Sequence, residues 1–126
     1  MTSTDALAAP WTLRGRTAPG RILFGPHETN LGEGRAIGAR HAAYYAARAA
    51  GGAAVIVLEE ASVHPLDWPY ERAPLAEQCV DGWSAVAAVA HEHGALALAA
   101  IGHAGGQGSS SFSQRELWGP SAVPEV

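Results

Sequence analysis

The sequence predicts an α/β fold: a parallel sheet of short strand–helix units, preceded by a small β-hairpin. Three observations carry this. Apolar runs at 21–24, 53–60 and 95–101 alternate with helix-favouring stretches at 35–50 and 81–93. The middle run, AAVIVLEE, is continuous and β-branched at its centre, as a strand covered on both faces reads. The strand–helix–strand–helix–strand order implies right-handed crossovers and neighbouring parallel strands.

Taken in order, residues 1–10 read as a disordered tail, and 11–126 as one domain. Trp11 to Arg16 and Thr17 to Arg21 form the hairpin, with Gly15 at its turn and Pro19-Gly20 at a second turn. Ile22, Leu23 and Phe24 make a run long enough for a buried strand and too short for a helix. Gly25-Pro26 stops that strand, because proline cannot donate to a ladder and restricts the residue before it. His27, Glu28, Thr29 and Asn30 follow at once, and polar groups at the carboxyl end of a strand are where α/β proteins build sites.

The alanine-rich stretch 35–50 favours helix, and Gly51-Gly52 ends it. A long loop, 61–74, carries His64, Asp67, Trp68, Tyr70, Glu71 and Arg72. In the second helix, Trp83, Val86, Ala87 and Ala90 share one face, and Gly94 closes it. After the third strand come a glycine- and serine-rich loop, GHAGGQGSSSFSQ, and a tail, LWGPSAVPEV, with no recognisable element.

Composition narrows the function. The chain is 48% hydrophobic and 16% charged, so it reads as globular, and its net charge of -4 argues against a nucleic-acid partner. All eight basic residues are arginine, which removes Schiff-base chemistry and a Walker lysine. The single cysteine, Cys79, forms neither an internal disulfide nor a zinc cluster and suits a reducing, cytoplasmic compartment. No signal peptide or membrane-length apolar run is expected. His91 and His93 are two apart on a helix and do not converge as ligands, so no metal site is expected. The serines at 109–111 lack a nucleophile elbow.

Gly32, Gly34 and Gly38 form a G-x-G-x-x-x-G ahead of a helix, with Glu59-Glu60 ending the next strand. That arrangement makes a small Rossmann-like dinucleotide-binding module the second reading; the residues between Phe24 and Gly32 argue against the tight turn it needs. A third reading is a truncated, non-catalytic gene product.

Three segments carry a more specific likeness: LRGRTAPGRILFGPHETNL, YYAARAAGGAAVIVLEEASVHP and HEHGALALAAIGHAGGQ. In this order they resemble the opening of the Old Yellow Enzyme (NADH:flavin oxidoreductase) family, nearest its 2,4-dienoyl-CoA reductase-like branch and members associated with mycofactocin gene clusters. The resemblance implies the N-terminal three βα units of a (β/α)8 TIM barrel, incomplete here, with the hairpin closing the barrel floor. It implies FMN as cofactor, NADH or NADPH as hydride donor and a small-molecule acceptor of the activated-alkene kind. On this basis Pro26 (through its backbone), His27, Glu28, Thr29, Glu60 and His103 are the cofactor-binding candidates. Glu28 stands where relatives carry threonine, cysteine or histidine. It would face the flavin C4 carbonyl and N5, as an acceptor only when ionised and as a donor if burial keeps it protonated; the simpler alternative is that it points away and caps the following helix region.

The departures are as informative. The family glutamine that bonds the flavin pyrimidine falls at Ala100, and the arginine of the H-x-G-R pattern at Gly106. The family's substrate-binding residues, its flavin phosphate site and the cysteines of its iron–sulfur cluster have no counterpart in these 126 residues, so the chain alone is expected to be inactive. Simpler roles stand beside the candidates: Glu59-Glu60 as a solvated strand end, Tyr44 and Tyr45 as helix packing, His103 as a structural hydrogen-bonding group, and His64, Trp68 and Tyr70 as loop packing.

Overall fold

A computed structural model describes residues 3–121. The stretch 1–10, expected as a disordered tail, holds a short helix over its described part, α1 (Ser3–Ala8). The Arg21 N–H donates to the Leu7 carbonyl at 2.8 Å and ties that helix to the body of the fold. Strands β1 (Trp11–Leu13) and β2 (Arg16–Ala18) form the expected antiparallel hairpin. Arg14 and Gly15 both take positive φ, 46° and 79°, the conformation of a two-residue turn that matches strand twist.

Strands β3 (Leu23–Phe24), β4 (Val55–Ser62) and β5 (Leu96–Gly102) form a parallel sheet in chain order. Helix α2 (Ala39–Ala50) joins β3 to β4, and α3 (Val80–Glu92) joins β4 to β5. Two βα units are therefore complete. Among the described residues the third strand is followed only by a 3-10 turn at Gly105–Gln107 and the four-residue α4 (Ser110–Ser113). Helix α2 starts four residues later than its composition predicts. Arg35 sits at φ 64° and its guanidinium donates to the carbonyls of Ala73, Pro65 and Asp67, which holds 35–38 out of helical geometry. Gly38 becomes the N-cap, its N–H donating to His41 Nδ1 at 3.1 Å.

The helices cover one face of the sheet. Ile56, Leu58 and Ala61 of β4 pack there with Tyr45 and Ala49 of α2 and Val86 and Ala90 of α3. The hairpin covers part of the opposite face, where Trp11 and Ala18 meet Ala54, Val55, Val57 and Leu96. The rest of that face and the β5 edge are bare: Leu23, Leu98 and Ile101 are 55%, 48% and 62% exposed. Among the described residues no helix is long and apolar enough to cross a membrane.

Candidate functional site

The register of β4 decides what its two glutamates do. Val57 pairs with Leu98, but Glu60 pairs with Ala100, so three residues of β4 oppose two of β5. The extra residue makes a β-bulge, a device that re-aims side chains. Leu58 and Glu59 both turn to the helix layer and are buried, while Glu60 returns to the hairpin-side face and is exposed.

Glu59 becomes the centre of a buried polar cluster. Its carboxylate accepts hydrogen bonds from the hydroxyls of Thr29 and Tyr70. His41 Nε2 lies 3.1 Å from Glu59 Oε1. Because His41 Nδ1 accepts the Gly38 N–H, the neutral ring carries its proton on Nε2, facing the carboxylate. The Glu59 N–H donates to the Tyr45 hydroxyl at 2.8 Å. Burial pushes the Glu59 pKa up, but the donors from His41, Thr29 and Tyr70 outweigh it, and the carboxyl ends below its ordinary value. Burial, and then the bond to Glu59, push the Tyr70 hydroxyl pKa up, so both phenols next to Glu59 remain donors or acceptors without charge.

The candidates from the sequence divide into three groups. Thr29 reaches inward to Glu59, and its Oγ1 also accepts the Leu31 N–H at 3.2 Å. Pro26, His27 and Glu28 are exposed beside it, directly after β3. His27 turns to the helix layer, where the Tyr44 hydroxyl lies 3.1 Å from its Nδ1 and the two rings are nearly parallel at 7°. Tyr44 is itself covered by the Arg48 guanidinium, 3.4 Å from its ring centre. Glu60 lies at the end of β4 on the hairpin-side face, against Gly102. His103 follows β5, and its Nδ1 accepts the Gly105 N–H at 2.9 Å and sits 3.6 Å from Asp67 Oδ1. Buried Asp67 also accepts the Ala104 N–H at 3.0 Å, so His103 belongs to a loop-fixing cluster with His64 and Trp118.

The Pro26–Thr29 loop, Glu60 and His103 thus stand at the carboxyl ends of three adjacent parallel strands, with His27 drawn away from the others. Glu59, His41 and Tyr70 were not among the candidates, and they form a buried polar cluster beneath that rim. Among the described residues no group of three or more His, Cys, Asp and Glu side chains could hold a metal ion.

Gly102 has a specific steric role. A Cβ there would come 2.6 Å from Glu60 Oε1 and closer still to Cδ and Oε2, the movable end of a side chain. Gly102→Ala is expected to cost less than about 1 kcal/mol in urea unfolding while turning the Glu60 carboxylate off the strand end, visible as a shift of its side-chain NMR signals. An unshifted Glu60 would show that Gly102 does not set its position.

No family model matches the sequence, and no curated protein matches it. Solved structures do. An Old Yellow Enzyme homologue from Zymomonas mobilis superposes with a TM-score of 0.81 at 27% identity, over 94% of this chain and 34% of that one. The chain is thus similar to the Old Yellow Enzymes. Morphinone reductase in complex with tetrahydroNAD matches at TM-score 0.82 and 22% identity, over 94% of this chain and 33% of its own. A 2-naphthoyl-CoA reductase matches at 0.80 and 20%, over 88% and 17%. The chain spans about a third or less of the structures it resembles.

The likeness also weighs against the Rossmann-like reading. Three parallel strands in chain order also open a dinucleotide-binding half-domain. Here, though, irregular backbone separates Phe24 from Ala39, and no tight glycine turn joins strand to helix.

Proposed function

We propose that this chain is the opening portion of an FMN-dependent NAD(P)H:acceptor oxidoreductase built on a (β/α)8 barrel. Hydride would pass from NADH or NADPH to the flavin and on to a small-molecule acceptor such as an activated alkene. The single observation that carries this is the placing of the Pro26–Thr29 loop, Glu60 and His103 at three adjacent strand ends, in a chain 27% identical to an Old Yellow Enzyme homologue over 94% of its length. The neighbour in complex with tetrahydroNAD supports a nicotinamide donor.

The residues present fit a flavin in part. No heavy atom lies within 4 Å of where a Cβ on Gly106 would stand, so backbone at the rim is open to a flat ring. Ala100 cannot make the bond expected of a glutamine there. Its cross-strand partner is Glu60, whose carboxylate offers an acceptor at the same level of the sheet. When bound, FMN would supply the two-electron chemistry, and the protein would bind, orient and shield it. Pro26 would present backbone, Glu60 would accept from a ring N–H, and Glu28 would set local charge. The substrate is a small molecule, with neither nucleic acid nor membrane as partner.

The 126-residue chain by itself is expected to be colourless after gel filtration in FMN and to leave NADH unconsumed, because the family resemblance places the flavin phosphate site on later strands of the barrel. Stoichiometric yellow protein with steady NADH turnover would show that expectation to be wrong. The proposal as a whole is tested by joining this chain to the remaining strands of the Zymomonas mobilis homologue. A folded chimera should retain FMN, whereas one that releases it completely would count against the reading.

A further inference from the structure

Four parts of the fold meet at one side chain. Glu59 has no exposed surface. It accepts from Thr29 of the loop after β3 and from Tyr70 of the loop after β4. It faces His41 of α2 at 3.1 Å, while its backbone N–H is held by Tyr45 of the same helix. The two loops are stitched together again nearby: Arg72 N–H donates to Asn30 Oδ1 at 3.0 Å, and Leu75 N–H to the Arg35 carbonyl at 2.8 Å. Gly32 lies so close to the Arg72 carbonyl that no side chain would fit between them.

We infer that Glu59 is a positioning residue that clamps the loop after β3 to the loop after β4, so that Pro26 and Glu28 are presented on a fixed surface. The inference rests on the reading that this surface faces the flavin. Glu59 acts through Thr29 and is walled off from the rim itself. The chemistry requires a carboxylate. One oxygen serves Thr29 and His41, the other serves Tyr70, and both must be acceptors. An amide at the same position keeps the size but removes the charge and turns one acceptor into an N–H donor, so the hydroxyl it faces must turn round to accept and the charge-assisted bond to the carboxylate is lost.

The test uses the whole 126-residue chain without flavin. Spin labels at Glu28→Cys and Glu71→Cys, both solvent-exposed, in a Cys79→Ala background, report the distance between the two loops. A second pair at Ala47→Cys and Ala88→Cys, both exposed, reports the helix layer. The clamp predicts one narrow loop-to-loop distance in the parent and a distribution roughly twofold broader in Glu59→Gln, with the helix pair unchanged. Thr29→Val should broaden it too, and Thr29→Ser should restore it. If Glu59→Gln does not fold, the Thr29 pair of variants carries the same comparison. An unchanged loop distance, or equal broadening of both pairs, overturns the clamp. Because no flavin is present, either result leaves the cofactor reading to its own test.

Discussion

Replacing Glu59 with glutamine is expected to lower stability at pH 7 by about 1.5–3 kcal/mol, the range for a hydrogen bond to a charged group. The side chain is fully buried, so solvent cannot make good the lost charge-assisted bond. The pH dependence has a definite sign. The folded-state pKa of Glu59 is lowered, so its contribution is fully present above the unfolded carboxyl value and is lost as pH falls through the lower, folded value. Urea unfolding at neutral pH and at steps down through the acid range should show the parent losing stability faster than Glu59→Gln. Parallel curves would mean that Glu59 gains nothing from its three donors in the folded state.

Gly82→Ala is the second large effect. Gly82 lies in the first turn of α3, where alanine by propensity alone would add about 1 kcal/mol. Packing opposes it. A Cβ there would come 2.6 Å from the backbone carbon and from the Cβ of Ile37, and closer still to its carbonyl oxygen. Ile37 is buried, so this is backbone against backbone and neither side swings away. Overpacking of this kind costs about 3 kcal/mol, which leaves a net loss of about 2 kcal/mol. Gly106→Ala, with nothing near its added Cβ, is the near-neutral control. Thermal unfolding of the two variants should separate them clearly. Equal midpoints would show that α3 can shift away from Ile37 without cost.

The alternation of strands and helices was legible because each element carries its own period and its own stop. AAVIVLEE is too short and too β-branched for a helix, and Gly51-Gly52 and Gly94 end the helices where glycine is needed: Gly52 and Gly94 take φ 97° and 74°. The hairpin was legible because Gly15 marks a turn that needs positive φ. The start of α2 was not, because three tertiary hydrogen bonds from the Arg35 guanidinium override local helix preference. Nor was α1, which a backbone bond from Arg21 ties down and no local pattern announces.

At the site, the strand-end placing of Pro26, Glu28, Thr29, Glu60 and His103 follows from the βα order and could be read in advance. The division of labour between Glu59 and Glu60 could not. Simple alternation assigns the two glutamates to opposite faces but says nothing of a bulge, and the bulge decides which one is sealed under the loops. Tyr70 and His41 reach Glu59 across 11 and 18 positions of sequence, and Thr29 across 30, so their convergence is a property of the fold. The turning of His27 onto Tyr44 is of the same kind.

The central claim is that these strand ends serve a flavin that takes hydride from a nicotinamide. Its most direct measurement is anaerobic mixing of NADH, and separately NADPH, with the FMN-loaded chimera, followed by flavin absorbance. The account predicts that one of the two donors bleaches the flavin band and that a small activated alkene then restores it. A folded chimera whose bound flavin stays oxidised with both donors, while the unmodified Zymomonas mobilis homologue is reduced under the same conditions, would contradict it.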